Sequence, residues 1–240
     1  DKGAAFAVVD EPIHEPGERI ILVADVLKTL QDLAHHHRRQ FILSTAEKQI
    51  PVIAITGSNG KTTSNELIHA VLSSHLKTYT TEGNLNNHIG IPLTLLKIKT
   101  DVEFAIIEMG ANHIKEIEGY CRYTMPTHGV ITNCGKAHLE GFGSEEGIRK
   151  GKGELFDYLK QHDGTAFVMW DYDYLREMSK GIKDLITYGT HDAGVTGVVK
   201  NSTGFLELKM ISGADIDHIK TNLVGEYNLP NVLLAVAIGK

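Results

Sequence analysis

Short apolar runs alternate along this chain with stretches whose hydrophobic positions recur every three or four residues, which predicts strands and helices in turn. Residues 4 to 9 and 20 to 23 read as two short strands around a Pro- and Glu-bearing loop, too little to make a domain alone. From Asp25 to Arg39, Val26, Leu27, Leu30, Leu33 and Ala34 share one helix face, with Asp25 as the cap. Residues 51 to 56 read as a buried strand, and Leu67, Ile68, Val71 and Leu72 mark a helix from Thr62 to about Ser74. Further strands are predicted at 78 to 81, 102 to 110 and 128 to 133. A helix after Ser144 carries Ile148, Lys152, Leu155 and Leu159 on one face, with Phe156 beside them. A strand at 166 to 170, a helix from 172 to about 178 and a strand at 185 to 188 come next. Closely spaced runs at 194 to 200, 205 to 210 and 218 to 223 then have the look of an antiparallel meander, and helical spacing resumes from Asn228. The expected class is α/β, a mostly parallel sheet flanked by helices with a smaller antiparallel meander near the C-terminus.

Composition narrows the class without redirecting it. The 240 residues are 42% hydrophobic and 22% charged, ordinary for a globular protein and long enough for a substantial core. A net charge of -6 leaves no basic surplus for a nucleic-acid backbone, so no nucleic-acid partner is expected. No run is long enough to span a membrane. Cys121 and Cys134 have no metal-type spacing and are too few to staple the chain, which points to a reducing, cytoplasmic setting. His35, His36 and His37 end a helix, where consecutive side chains diverge, and read as a solvated helix end rather than a metal cluster. The chain starts without methionine and stops inside a helical pattern, as a piece of a longer protein does.

Candidate chemistry centres on Thr-Gly-Ser-Asn-Gly-Lys-Thr-Thr, residues 56 to 63. Strand, glycine-punctuated loop and helix start form a phosphate cradle in which backbone N–H groups turn inward at Gly57 and Gly60. Ser58, Asn59 and Thr63 belong to the same loop, Lys61 would reach the outer phosphates of a nucleotide, and Thr62 would offer its hydroxyl to magnesium. A full phosphate-loop pattern has a glycine where Ile55 stands, so this loop is a shortened Gly-x-x-Gly-Lys-Thr variant. Glu108 ends an apolar strand and is placed to serve the metal, against the alternative of a solvent-facing strand end. His138 lies in the loop after the 128–133 strand, as a base, a ligand or a structural hydrogen-bonder; magnesium's preference for oxygen makes the ligand role the weakest on chemistry alone. The Asn-rich loop at 82 to 88 either makes turns or positions a ligand. Lys152 falls inside an apolar stripe, which requires that it snorkel, pair with an acid or lose its charge. Gly147, Gly151 and Gly153 in that helix suggest a close backbone approach.

Six segments, at 56–63, 82–92, 106–111, 137–144, 152–156 and 225–231, resemble in content and order the motifs of the Mur ligases of peptidoglycan synthesis. In that family the shortened loop is usual. The resemblance implies a three-domain ligase, with residues 1–48 the end of a UDP-sugar domain plus a connecting helix and 49–240 the central ATPase domain. The Asn-Leu-Asn-Asn and His-Leu-Glu-Gly-Phe-Gly-Ser segments are similar to those of members that join D-alanyl-D-alanine to UDP-N-acetylmuramoyl-tripeptide. It further implies ATP, one or two magnesium ions held by Thr62, Glu108 and His138, and a carbamylated Lys152 as an anionic ligand. Asn228 and Asn231 match asparagines that contact adenine, and Asn86 and Asn87 would face the substrate. A cytoplasmic monomer is expected, with a folylpolyglutamate synthase-like ligase or a P-loop ATPase that forms no amide as the alternatives.

Overall fold

The structure is a computed structural model that describes residues 3–12, 17–43, 50–135 and 139–240. Strands β1 (Ala7–Val9) and β2 (Ile20–Leu22) pair in parallel as a separate two-stranded sheet, followed by helix α1 (Val26–Leu43). The main sheet begins with β3 (Val52–Thr56), every residue of which is buried. In chain order there follow α2 (Lys61–Leu72), β4 (Thr78–Thr80), α3 (Gly90–Leu96), β5 (Phe104–Glu108), α4 (Glu116–Thr124) and β6 (His128–Ile131). Then come α5 (Leu139–Phe142), α6 (Glu145–Gln161), β7 (Thr165–Met169), α7 (Asp173–Met178) and β8 (Asp184–Gly189). The last elements are β9 (Val195–Asn201), β10 (Phe205–Ser212), β11 (His218–Val224) and α8 (Leu229–Gly239).

Nine strands form one sheet in the order β11-β10-β9-β8-β7-β6-β3-β5-β4. The strands from β4 to β9 run parallel, and β10 and β11 turn antiparallel, so the expected meander is attached to the main sheet and continues it, with its first strand parallel to β8. Only the last residues of β8, Tyr188 and Gly189, pair with the first of β9, Val195 and Thr196. Because both strands run the same way, β9 extends past the carboxyl end of β8, and the meander stands above the edge where parallel sheets bind ligands.

Helices α2 and α8 pack together on one side of the sheet, while α1, α3, α4 and α6 contact one another on the other. Helix α8 is apolar nearly all round, with Val232, Leu233, Leu234, Ala235 and Ala237 buried, as a helix enclosed between α2 and the strands β8 and β9 must be. The short helices α3 and α4 are absent from the sequence reading. Each is under three turns and flanked by glycine, proline or polar residues that blur the period. Among the described residues, no helix is long and apolar enough to cross a membrane.

Helix α1 is fastened through a buried charge. Arg38, 1% exposed, donates from Nε to the Thr124 carbonyl at 3.0 Å and from Nη2 to the carbonyls of Met125 and Ile50 at 3.2 and 3.3 Å. Burial lowers its pKa to about 10, which still leaves it charged at neutral pH, where it meets the carbonyl end of α4. Arg38→Ala would strand these carbonyls and is expected to cost about 3 kcal/mol in urea unfolding, whereas a loss below about 1 kcal/mol would contradict this role.

Candidate active site

Three parallel strands deliver the candidate groups to one edge. Strand β3 lies between β5 and β6, with Ile55 in register with Glu108 on one side and Val130 on the other. The chain therefore enters the 57–60 loop between the carboxyl ends of both neighbours. Gly57, at φ 147°, passes so close to β6 that a Cβ there would lie 1.8 Å from Thr132 Oγ1, which is why this position takes no side chain. Lys61 folds back over the loop, donating from Nζ to the carbonyls of Gly57 at 2.8 Å and Ser58 at 3.3 Å.

The loop offers fewer donors than its sequence suggests. Ser58 N–H bonds the Asn133 carbonyl at 2.9 Å, and Asn59 N–H bonds Asn133 Oδ1 at 3.2 Å. The backbone N–H groups of Gly60, Lys61, Thr62 and Thr63 have no acceptor among the described residues. They are the unsatisfied donors of a helix N-terminus, aimed together with the helix dipole at one point. Ser58 is held by its side chain as well, donating from Oγ to the Gly135 carbonyl at 2.8 Å.

Beside them Glu108, 2% exposed, is held by two side chains. Thr62 Oγ1 donates to Oε2 at 3.1 Å and Asn86 Nδ2 donates to Oε1 at 2.8 Å. Glu108 thus faces the site and not solvent. Asn86 is tied to this carboxylate, and Asn87 is turned to another task, its Oδ1 accepting the N–H groups of Ile89 and Gly90 at the start of α3. The Asn-rich loop therefore makes a turn and also places one amide in the site. The exposed Thr62 hydroxyl and the buried Glu108 carboxylate together form a pair of oxygen donors, a set that suits a hard cation such as magnesium, which takes few protein ligands beside phosphate and water. Among the described residues, no three His, Cys, Asp or Glu side chains converge on a common point.

Lys152 lies inward, as its periodicity requires, with 1% exposure. Helix α6 is capped by Ser144, whose Oγ accepts Gly147 N–H at 3.0 Å, and it runs against α5. The close approach foreseen from its glycines is to Phe142: a Cβ at Gly151 would lie 2.4 Å from that ring. The same ring sits under Lys152, 5.5 Å from Nζ to its centroid, and no carboxylate among the described residues pairs with the amine. Burial, then repulsion from Lys61, lowers the Lys152 pKa to about 8, with Cys134 a minor opposing influence. Burial likewise lowers Lys61, offset in part by Glu108. Cys134 is pushed up to about 11 by burial and is no nucleophile at neutral pH.

On the other side of the loop, Asn228 and Asn231 are buried and bonded to each other, Asn231 Nδ2 to Asn228 Oδ1 at 2.9 Å. Asn231 Oδ1 accepts from Ser64 of α2 at 3.1 Å, and Asn228 Nδ2 reaches the Val224 carbonyl at 3.0 Å. They line a cavity of about 530 Å³ with Gly60, Thr63, Tyr172 and Tyr227, a size that suits a nucleoside. His138 lies outside the described residues. Sequence reasoning missed Thr132 and Asn133, treated only as the end of a strand, and the tyrosines of this cavity. A Thr-Asn pair leading from a strand into a glycine turn beside a phosphate loop was the available signal.

Fold and site together define an α/β protein built around a strand-loop-helix of phosphate-loop layout. The chain belongs to the Mur ligase family, since residues 55–239 match the Mur ligase middle domain. The UDP-N-acetylmuramoyl-tripeptide--D-alanyl-D-alanine ligase of Bacillus subtilis (strain 168) is 35% identical over 243 residues, covering 100% of this chain and 50% of that protein. The crystal structure of MurF from Acinetobacter baumannii superposes with a TM-score of 0.85 at 31% identity, over 96% of this chain and 49% of that one. MurF ligase from Thermotoga maritima, solved in complex with ADP, gives 0.83 at 26% identity, over 98% and 53%. The chain thus spans about half the length of the relatives it matches.

The lowered Lys152 pKa has a pH signature. Below about pH 8 the ammonium is charged in folded and unfolded chains alike, and the fold bears its full burial cost. Between about 8 and the ordinary 10.5 the folded chain alone has released the proton, so stability rises with pH across that window. Lys152→Met should remove this rise and stabilise the unmodified chain at pH 7 by up to about 3 kcal/mol in urea unfolding. A variant less stable than wild type at pH 7, with an unchanged pH slope, would contradict the assignment.

Proposed function

We propose that this chain is the central nucleotide-binding part of an ATP-dependent ligase that joins UDP-N-acetylmuramoyl-tripeptide to D-alanyl-D-alanine in the cytoplasm. Residues 1–48 would close the UDP-sugar domain with a connecting helix, and 49–240 would form the ATPase domain. The observation that carries this reading is the convergence at one sheet edge of the free N–H groups at the start of α2, Lys61 and the Thr62–Glu108 pair, beside a cavity of nucleoside size. The named activity of relatives matched along the whole chain supplies the substrates.

A carboxylate is a poor electrophile, and ATP supplies it with a leaving group. The substrate carboxylate attacks the γ-phosphorus of ATP, forming an acyl phosphate and releasing ADP. The amine of D-alanyl-D-alanine then adds to the acyl carbon, and expulsion of phosphate leaves the amide. For the first step two anions must be brought in line. The N–H groups of residues 60–63 would hold phosphate oxygens, and Lys61 would swing from the Gly57 and Ser58 carbonyls onto the outer phosphates. Thr62 and Glu108 would hold magnesium, whose contribution is to neutralise phosphate charge. Asn86 keeps the Glu108 carboxylate turned toward that position.

Lys152 suits carbamylation. At a pKa of about 8 a usable fraction of its amine is neutral at physiological pH, and only the neutral amine adds to carbon dioxide. The product would be an anion with oxygen ligands, exchanging a buried cation that has no carboxylate partner among the described residues for a group that could help His138 hold a second magnesium. Asn228 and Asn231 would border the adenine.

The reading is tested by phosphate release in the full-length protein, supplied with ATP, UDP-muramoyl-tripeptide and D-alanyl-D-alanine. Release should require both the tripeptide and the amine, and Lys61→Ala should reduce it by about a thousandfold or more. Release with a folate substrate instead, or hydrolysis indifferent to either substrate, would select one of the rival ligase or plain ATPase readings. Lys152→Ala should lose activity and regain part of it with short carboxylates, and an unmodified Lys152 in the mass spectrum of active enzyme would count against the carbamate.

A further inference from the structure

The phosphate loop lacks the first glycine of the general pattern, and the reason is visible in the sheet. Ile55 is a fully paired strand residue, bonded in register to Glu108 and Val130, so strand geometry persists to within a few residues of Gly60. A loop this short has little room to set its own curvature. What sets it is the chain leaving β6. Asn133 closes its side-chain amide on both backbone groups of Asn59, Oδ1 accepting the N–H at 3.2 Å and Nδ2 donating to the carbonyl at 3.0 Å. This reproduces, with one side chain, the two-way pairing of an antiparallel strand. Thr132 Oγ1 donates to the same carbonyl at 2.6 Å, and the Asn133 carbonyl accepts Ser58 N–H at 2.9 Å. The polar groups of Ser58 and Asn59 are thereby directed toward β6, and the free N–H groups begin at Gly60.

We propose that Asn133 is a positioning residue of the nucleotide site: it clamps Asn59 so that the phosphate loop is already curved when nucleotide arrives. The proposal rests on the nucleotide-binding reading above. Preorganisation of this kind acts on affinity, because an unclamped loop must be ordered at the expense of binding. It does not act on the core, since Asn59 is exposed and Asn133 only half-buried.

The test is calorimetric titration of the full-length protein with Mg·ADP. Asn133→Ala should weaken binding by about tenfold or more, the effect of two lost hydrogen bonds. Asn133→Asp should be at least as weak, because its carboxylate keeps an acceptor for Asn59 N–H but sets a second oxygen against the Asn59 carbonyl. KM for ATP should rise while KM for the amine substrate stays unchanged, and amide exchange at Ser58 and Asn59 should accelerate. The melting temperature without nucleotide should move by less than about 3 °C. Binding by Asn133→Ala within about twofold of wild type, or weakened only in step with a large fall in melting temperature, would overturn the proposal. Should Asn133→Ala fail to fold, Thr132→Val decides the matter. It is isosteric, removes the hydroxyl that donates to the Asn59 carbonyl at 2.6 Å and to the Thr56 carbonyl at 3.3 Å, and should weaken Mg·ADP by about threefold or more; wild-type affinity in this variant and in Asn133→Asp would overturn the clamp. Wild-type protein that binds no Mg·ADP would overturn the nucleotide reading and the clamp together, whereas variants that bind like wild type overturn the clamp alone.

Discussion

The candidate site exists because β5 and β6 flank β3 in parallel, and everything else in the structure serves or exploits that pairing. Parallel strands end on the same edge, so Glu108, the phosphate loop and the Thr132–Gly135 segment arrive together although they are far apart in the chain. The helices that follow extend the same logic. Helix α2 begins at the loop and brings its dipole, α6 brings the buried Lys152 within electrostatic reach of Lys61, and α8 sets Asn231 against α2 through Ser64, with Asn228 bonded behind it.

The electrostatic consequence is an imbalance of buried charge. Lys61 and Lys152 are both shifted toward their neutral forms by burial, and the repulsion from Lys61 adds to the shift of Lys152. Glu108 is a buried carboxylate near enough to offset part of the shift of Lys61, and its own oxygens are already engaged by Thr62 and Asn86. Such an arrangement is costly as a resting core, and on the proposed nucleotide reading phosphate with its metal would complete the charge balance.

Much of this was legible in the sequence because it rests on local rules. The strand-loop-helix around Gly57 to Lys61, the strand-terminal Glu108 and the inward Lys152 follow from periods of two and 3.6 and from glycine placement. The meander and its attachment to the parallel sheet were legible from closely spaced strands, although not that its first strand runs parallel to β8, which depends on two residue pairs. Helices α3 and α4 were not legible, being too short for a period to emerge. Nor were the contacts between Asn133 and Asn59 or between Asn86 and Glu108, because side-chain amides look alike in sequence whether they make a turn, cap a helix or hold a carboxylate. Asn87 shows the difference: next to Asn86, it accepts the N–H groups of Ile89 and Gly90 where α3 begins.

The most direct measurement of the central claim is a crystal structure of the full-length protein grown with Mg·ADP. In that crystal the β-phosphate should lie against the N–H groups of Gly60 to Thr63, the metal should touch Thr62 and Glu108, and the base should occupy the cavity beside Asn228 and Asn231. Nucleotide bound elsewhere, with Lys61 still bonded to the Gly57 and Ser58 carbonyls, would contradict the claim.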